Sequence, residues 1–437
     1  MIKDGAPIEY MTRLAEQINN IPGNTLLILS SDFSHYLGEN ISKQHDRKAV
    51  GVISHFDYPA VYNLDTDCVT GLYLLMKFSE LKKHSNFVWV NNSSSSEVYG
   101  KNFIGKNTSY VTGYFIDKKI VKDKQVGRVA SLLFFGDVML DRQNRVLMDR
   151  KGVGFFTAKL ERLFWGQDLN VVNLEGPITD KPSVSVGQPV ENPNHFRFTF
   201  DPEQAINFLQ ANRINLVNIG NNHILNFHKD GLEQTEKILT KNNIGYFGDP
   251  LGLAKMSTVK NVGGQKIAFV NYNQFAGFSS EQVIEIIKNL KTKSDFVIVY
   301  PHWGQEYKLV NNKRQQKLAH RFIDAGADLI IGTHPHVVQP IEIYKNKAIF
   351  YSLGNFVFDQ YFSEDVRSIL GVGVLLEDGQ VKFTLIPLFK QRGGELELMV
   401  GEQREKFLRN LSARSVVGDG VRREIEGGEF VLDSRCF

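Results

Sequence analysis

The sequence predicts an α/β fold built on parallel strands, and three observations carry that expectation. Short, near-continuously apolar runs recur from residue 131 onward, as strands covered on both faces require. Helix-period segments separate several of these runs, the alternation that produces parallel pairing through crossover helices. Successive runs end in a carboxylate, an amide or an imidazole, at the strand ends where open α/β sheets bind ligands.

Taken in order, "TLLILSS" (25–31) is an apolar run ending in polar residues. Residues 66–83 have an amphipathic helical pattern that includes Leu72, Leu75, Met76 and Phe78. "NNSSSSE" (91–97) reads as a polar loop and "SYVTGYFI" (109–116) as a strand. Charge then breaks the apolar pattern, which places a first domain at 1–117 and a linker at 118–130. In the main domain, 131–391, the runs are "SLLFF" (131–135), "DLNVVNLE" (168–175), "INLVNIG" (214–220), "KIAFVNYN" (266–273), "DFVIVYPHWG" (295–304), "ADLIIGTHPH" (327–336) and "KAIFYSLGNF" (347–356). Helices are expected over 201–212, with Asp201 as N-cap and Pro202 at the first position, over 229–245, and over 313–326, closed by Gly326. Residues 371–388 form a hairpin pattern around Asp-Gly. The Gly-rich, charged stretch 392–437 lacks sustained periodicity and reads as a loosely structured tail.

Composition narrows the function classes. Lys plus Arg is 51 against 48 for Asp plus Glu, a net charge of +3 that gives no reason to expect a nucleic-acid partner or an anionic membrane. Two cysteines, Cys68 and Cys436, make no disulfide framework. No apolar run reaches the roughly 18–20 residues of a membrane helix. As written the chain reads as cytoplasmic; a start upstream of Met1 would bring a cell-surface location back into play.

The polar residues at the run ends are metal-ligand types. Asp137, Glu175, Asn221-Asn222-His223, His302, and His334 with His336 follow successive runs. Mixed N and O donors without thiolate suit Mn, Fe or Zn better than a structural zinc–cysteine site. Each alone has an ordinary explanation: Gly-Asp as a turn, Asn as a helix cap, a lone histidine as a packed core residue. "GTHPH" is stronger. Alternate residues of an extended segment face opposite ways, so two histidines there need either a bend or two different acceptors.

The stretches "FFGDVMLDR", "VVNLEGPIT", "NIGNNHILNF", "PHWGQEY", "IIGTHPHVVQPIE" and "FYSLGNFVFDQ" resemble, in this order, the bacterial capsule-synthesis (CapA-type) poly-γ-glutamate biosynthesis family, a branch of the calcineurin-like metallophosphatases. The resemblance implies a four-layer αββα sandwich with a centre for one or two divalent ions. It implies that Asp137 and His336 serve one ion, that Asn222, His302 and His334 serve the other, and that Glu175 bridges. His223 would be the catalytic residue, as a proton donor or a transition-state contact, with Arg142 and Asn355 as substrate contacts. The implied activity is metal-dependent hydrolysis, by metal-activated water, of a phosphoester or a γ-glutamyl-type bond, on an anionic polymer or phosphoester substrate. Two departures stand out. "FFGDVM" lacks the histidine of the usual Asp-x-His, and Asn226 stands where the family commonly has Asp. A non-catalytic polymer-binding or scaffold protein with a degraded site is therefore the alternative from a different class.

Upstream, "SSDFSHY", "CVTG" and "VTGYF" resemble the C-terminal half of the Memo family, called AmmeMemoRadiSam system protein B in bacteria. This implies a truncated, extradiol-dioxygenase-like α/β segment and an N-terminal site using His35 and Cys68. Such a half-domain would expose an apolar edge for a second copy of the chain or a missing N-terminal half to cover. A redox or radical-chemistry accessory role through Cys68 is a third reading.

Overall fold

The computed structural model describes residues 6–100, 107–117 and 127–433 and divides into two compact units. The first consists chiefly of residues up to Ser131, with 165–168 and 375–378; the second holds the rest.

In the first unit, helices Ile8–Asn19, Glu39–Ser54, Tyr58–Val61 and Val69–Leu81 precede an antiparallel pair, β1 (Asn86–Ser94) and β2 (Ser109–Ile116). The expected helix is present, and it buries Leu72, Tyr73, Met76 and Phe78 with Met11, Val52 and Val61. The expected polar loop at 91–97 is absent. Strand β1 runs to Ser94, which then caps a short helix, Ser95–Tyr99, through a reciprocal capping box with Glu97. The run 25–31 belongs to no strand, and Leu26 and Ile28 are 82% and 77% exposed. Most of the linker, 118–126, and Cys436 lie outside the described residues.

The second unit carries β3 (Val129–Val138), β4 (Leu169–Leu174), β5 (Leu216–Asn218), β6 (Gly245–Phe247), β7 (Ser257–Val262), β8 (Gln265–Asn273) and β9 (Phe296–His302). It continues with β10 (Leu329–Ile331), β11 (Ile341–Tyr344), β12 (Lys347–Phe350), β13 (Asn355–Val357), β14 (Ser368–Glu377), β15 (Gln380–Lys390), β16 (Leu396–Leu398) and β17 (Glu429–Asp433). One sheet has the order β16-β15-β14-β3-β4-β5-β6, with β13 beside β3 and β17 beside β15. The other has the order β11-β12-β10-β9-β8-β7. The pairs β3–β4, β4–β5, β5–β6, β8–β9, β9–β10 and β10–β12 are parallel, as the alternation required.

The two sheets face each other. Phe134 of β3 meets Phe269 of β8 and Tyr300 of β9, with ring centroids 6.5 and 6.2 Å apart. On the other face of the second sheet, helices Ser280–Lys291 and Lys313–Asp324 pack Val283, Ile287, Leu318 and Phe322 against Val270, Val299 and Ile330. Crossovers between parallel strands must lie on a sheet face. Helices Pro202–Ala211 and His228–Lys241 make the β4–β5 and β5–β6 crossovers, and the inner face is taken by the partner sheet. The result is an α/β sandwich of four layers. All ten residues of β3 and all six of β4 are buried, which is why their sequences read as near-continuous apolar runs.

Two further sequence expectations need correction. The run 347–356 is two strands: β12 belongs to one sheet and β13 pairs with β3 of the other. Gly354, at φ +74, makes the switch. The segment after 391 is also structured. It forms β16, helices Gly401–Arg414 and Asp419–Gly427, and β17, which pairs with β15. Leu408, Leu411, Ile425 and Phe430 are buried there, and Gly428 closes the last helix in the left-handed conformation. Its apolar positions are few but fall at helical spacing, so charge and glycine content alone misled. The 371–388 hairpin is present as β14–β15, with Asp378 and Gly379 both at positive φ.

Candidate metal centre

Both sheets bring strand ends to one place. Asp137 lies near the end of β3, and its N–H donates to the Gly354 carbonyl at 3.1 Å. A Cβ on Gly136 would lie 1.8 Å from that same oxygen, so glycine is required for β13 to close on β3. That closure sets Asn355 opposite Asp137 in register.

Asp137, Glu175 and His336, all buried, form one group whose donor atoms lie within 4.8 Å of one another. His336 Nδ1 is 3.1 Å from Asp137 Oδ2 and 2.9 Å from Asn355 Oδ1, and its Nε2 is 3.7 Å from Glu175 Oε1. Asn173 holds both carboxylates: its Nδ2 donates to Asp137 Oδ1 at 2.8 Å and to Glu175 Oε2 at 3.2 Å. Its own Oδ1 accepts from Asn218 and Asn221.

Beside this group, His302 Nε2 donates to Asn222 Oδ1 at 2.8 Å, and the His302 and His334 ring centroids are 4.8 Å apart. Of the two arrangements the sequence left open for His-x-His, the structure shows the bend. His334 and His336 sit at φ +96 and +59, and their rings are 5.9 Å apart.

His223 is packed against Phe198 at 4.3 Å, and its Nδ1 meets Asn226 Oδ1 at 3.1 Å. Asn226 Oδ1 also accepts the Phe198 N–H, which fixes the amide orientation and makes His223 Nδ1 the donor. Arg142, at φ +50, is ion-paired with Asp359 and donates to His195 Nε2 at 2.8 Å. Its guanidinium lies over Phe198 and Phe358, and Phe358 packs on His336.

Burial governs the electrostatics. It raises the Glu175 carboxyl well above the usual carboxylate range, with the nearby Asp137 charge adding to the effect. It lowers His302 well below the ordinary imidazole value, His334 to about 3 and His223 to about 4. The imidazoles are therefore neutral near pH 7 and carry the lone pair that a metal needs. Glu175 Oε1 and His334 Nδ1 are buried with no hydrogen-bond partner. Two adjacent buried carboxylates, neutral imidazoles and orphaned donor atoms fit a divalent cation.

Residues that sequence reasoning missed are Asn173, Asp359, His195 and Glu306. Glu306 was in view within "PHWGQEY" but carries no distinguishing pattern; it groups with His334 and His336 within the same 4.8 Å limit. In the first unit, His35 Nε2 lies 3.5 Å from Asp67 Oδ2 and 3.8 Å from Asp32 Oδ2. Cys68, expected to share that site, is not in the group; its Sγ is among the atoms nearest Gly71. No helix among the described residues is long and apolar enough to cross a membrane.

Residues 131–360 match the family model described as bacterial capsule synthesis protein PGA_cap. The chain is 31% identical over 277 residues to the PGA biosynthesis protein CapA of Bacillus subtilis (strain 168), covering 60% of this chain and 71% of that protein. It is 26% identical over 304 residues to the capsule biosynthesis protein CapA of Bacillus anthracis, covering 64% and 72%. Among solved structures, Vps29 of Chaetomium thermophilum aligns at 10% identity and a TM-score of 0.28, covering 62% of this chain and 92% of that one.

Proposed function

The chain belongs to the bacterial capsule synthesis protein family, and on that premise we propose that its second unit is a metal-dependent hydrolase acting on a phosphoester or γ-glutamyl-type bond of an anionic substrate. The observation that carries this reading is the buried pair Asp137 and Glu175 beside the buried imidazoles of His336 and His334, with Glu175 Oε1 and His334 Nδ1 left without partners. A divalent ion bound there, Mn, Fe or Zn by donor type, supplies Lewis-acid polarisation and lowers the pKa of coordinated water. Asp137, Glu175 and His336 would hold one ion, and Asn222, His302 and His334 a second. Asn173 keeps both carboxylates aimed inward. His223 is the proton-transfer residue, held by Asn226 against the Phe198 ring. Arg142 and Asn355 face the substrate side in this reading. Asn355 also sets the His336 ring through Nδ1.

The scaffold alternative is favoured by one specific observation. Position 139, where the usual motif has histidine, is a fully buried Met139 whose sulfur accepts the Asp141 N–H at 3.1 Å. The first unit we read as a Memo-like half, with His35 between Asp32 and Asp67 as its remaining polar cluster.

Metal content after reconstitution with Mn, measured by elemental analysis, tests the main reading. Stoichiometric metal in the wild type, reduced in both His302→Ala and His334→Ala, is the expected result. No bound metal in the wild type, or full retention in both variants, would sink it. Turnover of an aryl phosphate then separates enzyme from scaffold.

A further inference from the structure

Glu306 has no role in the ligand set above, yet its placement is specific. It is on the loop that follows β9, where Gly304 sits at φ +96 and donates its N–H to Gln274 Oε1. One residue further on, the Tyr307 N–H donates to the carbonyl of Pro335 at 2.8 Å. Pro335 is the residue between His334 and His336, so this bond clips the Glu306 loop directly onto the His-Pro-His bend. Further ties surround it. Gln339 Nε2 donates to the Lys308 carbonyl at 2.8 Å, and Gln360 Nε2 donates to the Tyr307 hydroxyl at 3.1 Å. The Tyr307 ring packs edge-on against Phe362.

The outcome is a carboxylate and two imidazoles whose donor atoms all lie within 4.8 Å of one another. His334, only 4% exposed, presents a buried Nδ1 with no partner. Two imidazole nitrogens and one carboxylate oxygen are a donor set that Mn, Fe(II) and Zn all accept.

We propose that Glu306 is itself a metal ligand, and that the divalent cation it binds takes both His334 and His336, one histidine from each of the two ion positions above. Resting on the metal-centre reading above, this extends it with a residue from a different element. The Met139 sulfur is turned to a backbone N–H and offers nothing to the centre, and the Glu306 loop approaches the same histidines from the end of β9. A carboxylate in place of an imidazole also changes the charge. It adds a full negative charge beside Glu175 and Asp137, which favours a divalent ion over none and disfavours an uncompensated anion.

The test is a Mn(II) binding isotherm, read by the loss of the free-ion EPR signal, on the full-length chain. Glu306 is exposed, so its substitution leaves the core untouched. Wild type is expected to bind Mn(II), and Glu306→Gln to bind it about tenfold to a hundredfold more weakly. Glu306→His, which restores a donor atom without the charge, is expected to recover most of the loss. Equal affinity in wild type and Glu306→Gln overturns the assignment while leaving the metal centre standing. A Glu306→His protein as weak as Glu306→Gln also overturns it, because the effect would then be charge at a distance. A wild type that binds no Mn(II) refutes the metal centre itself, and this site with it.

Discussion

Replacing Lys390 by methionine should remove a pH dependence of stability that the wild-type fold carries between pH 7 and 10. Lys390 is 1% exposed, at the end of β15. Its ammonium donates to the Phe358 carbonyl and lies 4.6 Å from the centre of the Tyr361 ring. Burial, opposed by Asp359 and assisted by Arg367 and Arg142, lowers its pKa from 10.5 to about 7. The folded pKa is thus below the unfolded one. Between pH 7 and 10.5 the unfolded chain holds a proton that the folded chain has released, so stability rises with pH across that window. Below pH 7 both states are protonated and the penalty is constant and complete. At 1.36 kcal/mol per unit, the full penalty is about 5 kcal/mol, and roughly 3 kcal/mol of it should disappear between pH 7 and 10. Methionine keeps the apolar stem and loses the hydrogen bond, worth about 1 kcal/mol, at every pH. Urea unfolding of metal-free wild type and Lys390→Met at pH 7, 8, 9 and 10 isolates the effect, because other titrating groups cancel in the difference. Wild type should gain on the variant steadily as pH rises. A difference that stays flat within about 0.5 kcal/mol would refute the account of a buried, depressed lysine.

Three further outcomes follow from the centre's geometry. Gly136→Ala places a Cβ 1.8 Å from the Gly354 oxygen, so β13 must move off β3; elemental analysis should show loss of metal from a protein whose circular dichroism is little changed. Asn226→Asp exchanges a neutral acceptor 3.1 Å from His223 Nδ1 for a charged one, which favours the imidazolium. NMR titration of the metal-free variant should find His223 roughly 1–2 units more basic than in the wild type. Saturating Mn(II) should relieve the Asp137–Glu175 repulsion; at a hundred times the dissociation constant it should add about 2.7 kcal/mol to unfolding free energy, seen as a rise in Tm that chelator reverses.

Much of the fold was legible because β3 and β4 are buried on both faces and so write near-continuous apolar runs into the chain. The helices between them announced themselves by caps: Asp201 does accept the N–H groups of Glu203 and Gln204. What escaped were segments whose structure depends on a partner far away in sequence. Strand β17 pairs with β15 through residues 429–433, which carry only two buried apolar side chains, Phe430 and Leu432. The 347–356 run looks like one strand because periodicity cannot report that Gly354 turns the chain from one sheet to the other. The polar stretch 91–97 hid a strand end because serine serves equally as loop, strand and cap.

At the centre, the donor types were legible and their hydrogen-bond partners were not. Asp137, Glu175, His302, His334 and His336 follow apolar runs, and strand ends alone predict where they meet. Nothing in the sequence says that Asn173 grips both carboxylates, since an asparagine inside an apolar strand is as readily a solitary polar core residue. The same holds for the bend at His334 and His336. A non-glycine residue at positive φ costs about 1 kcal/mol or more and persists only where surrounding contacts impose it. Here the Tyr307 N–H on the Pro335 carbonyl and Asn355 on His336 Nδ1 impose it twice over. The consequence is unequal sides of the centre. On the side proposed for the first ion, Glu175 Oε1 is buried without a partner, so a bound ion would gain that contact at no cost in hydrogen bonds. On the other, His302 Nε2 and Asn222 Oδ1 already satisfy each other at 2.8 Å, and both can ligate only after that bond is given up. The two halves of the proposed ligand set are therefore expected to differ in affinity for a reason that resides in side-chain pairing, below the level at which spacing of histidines can speak.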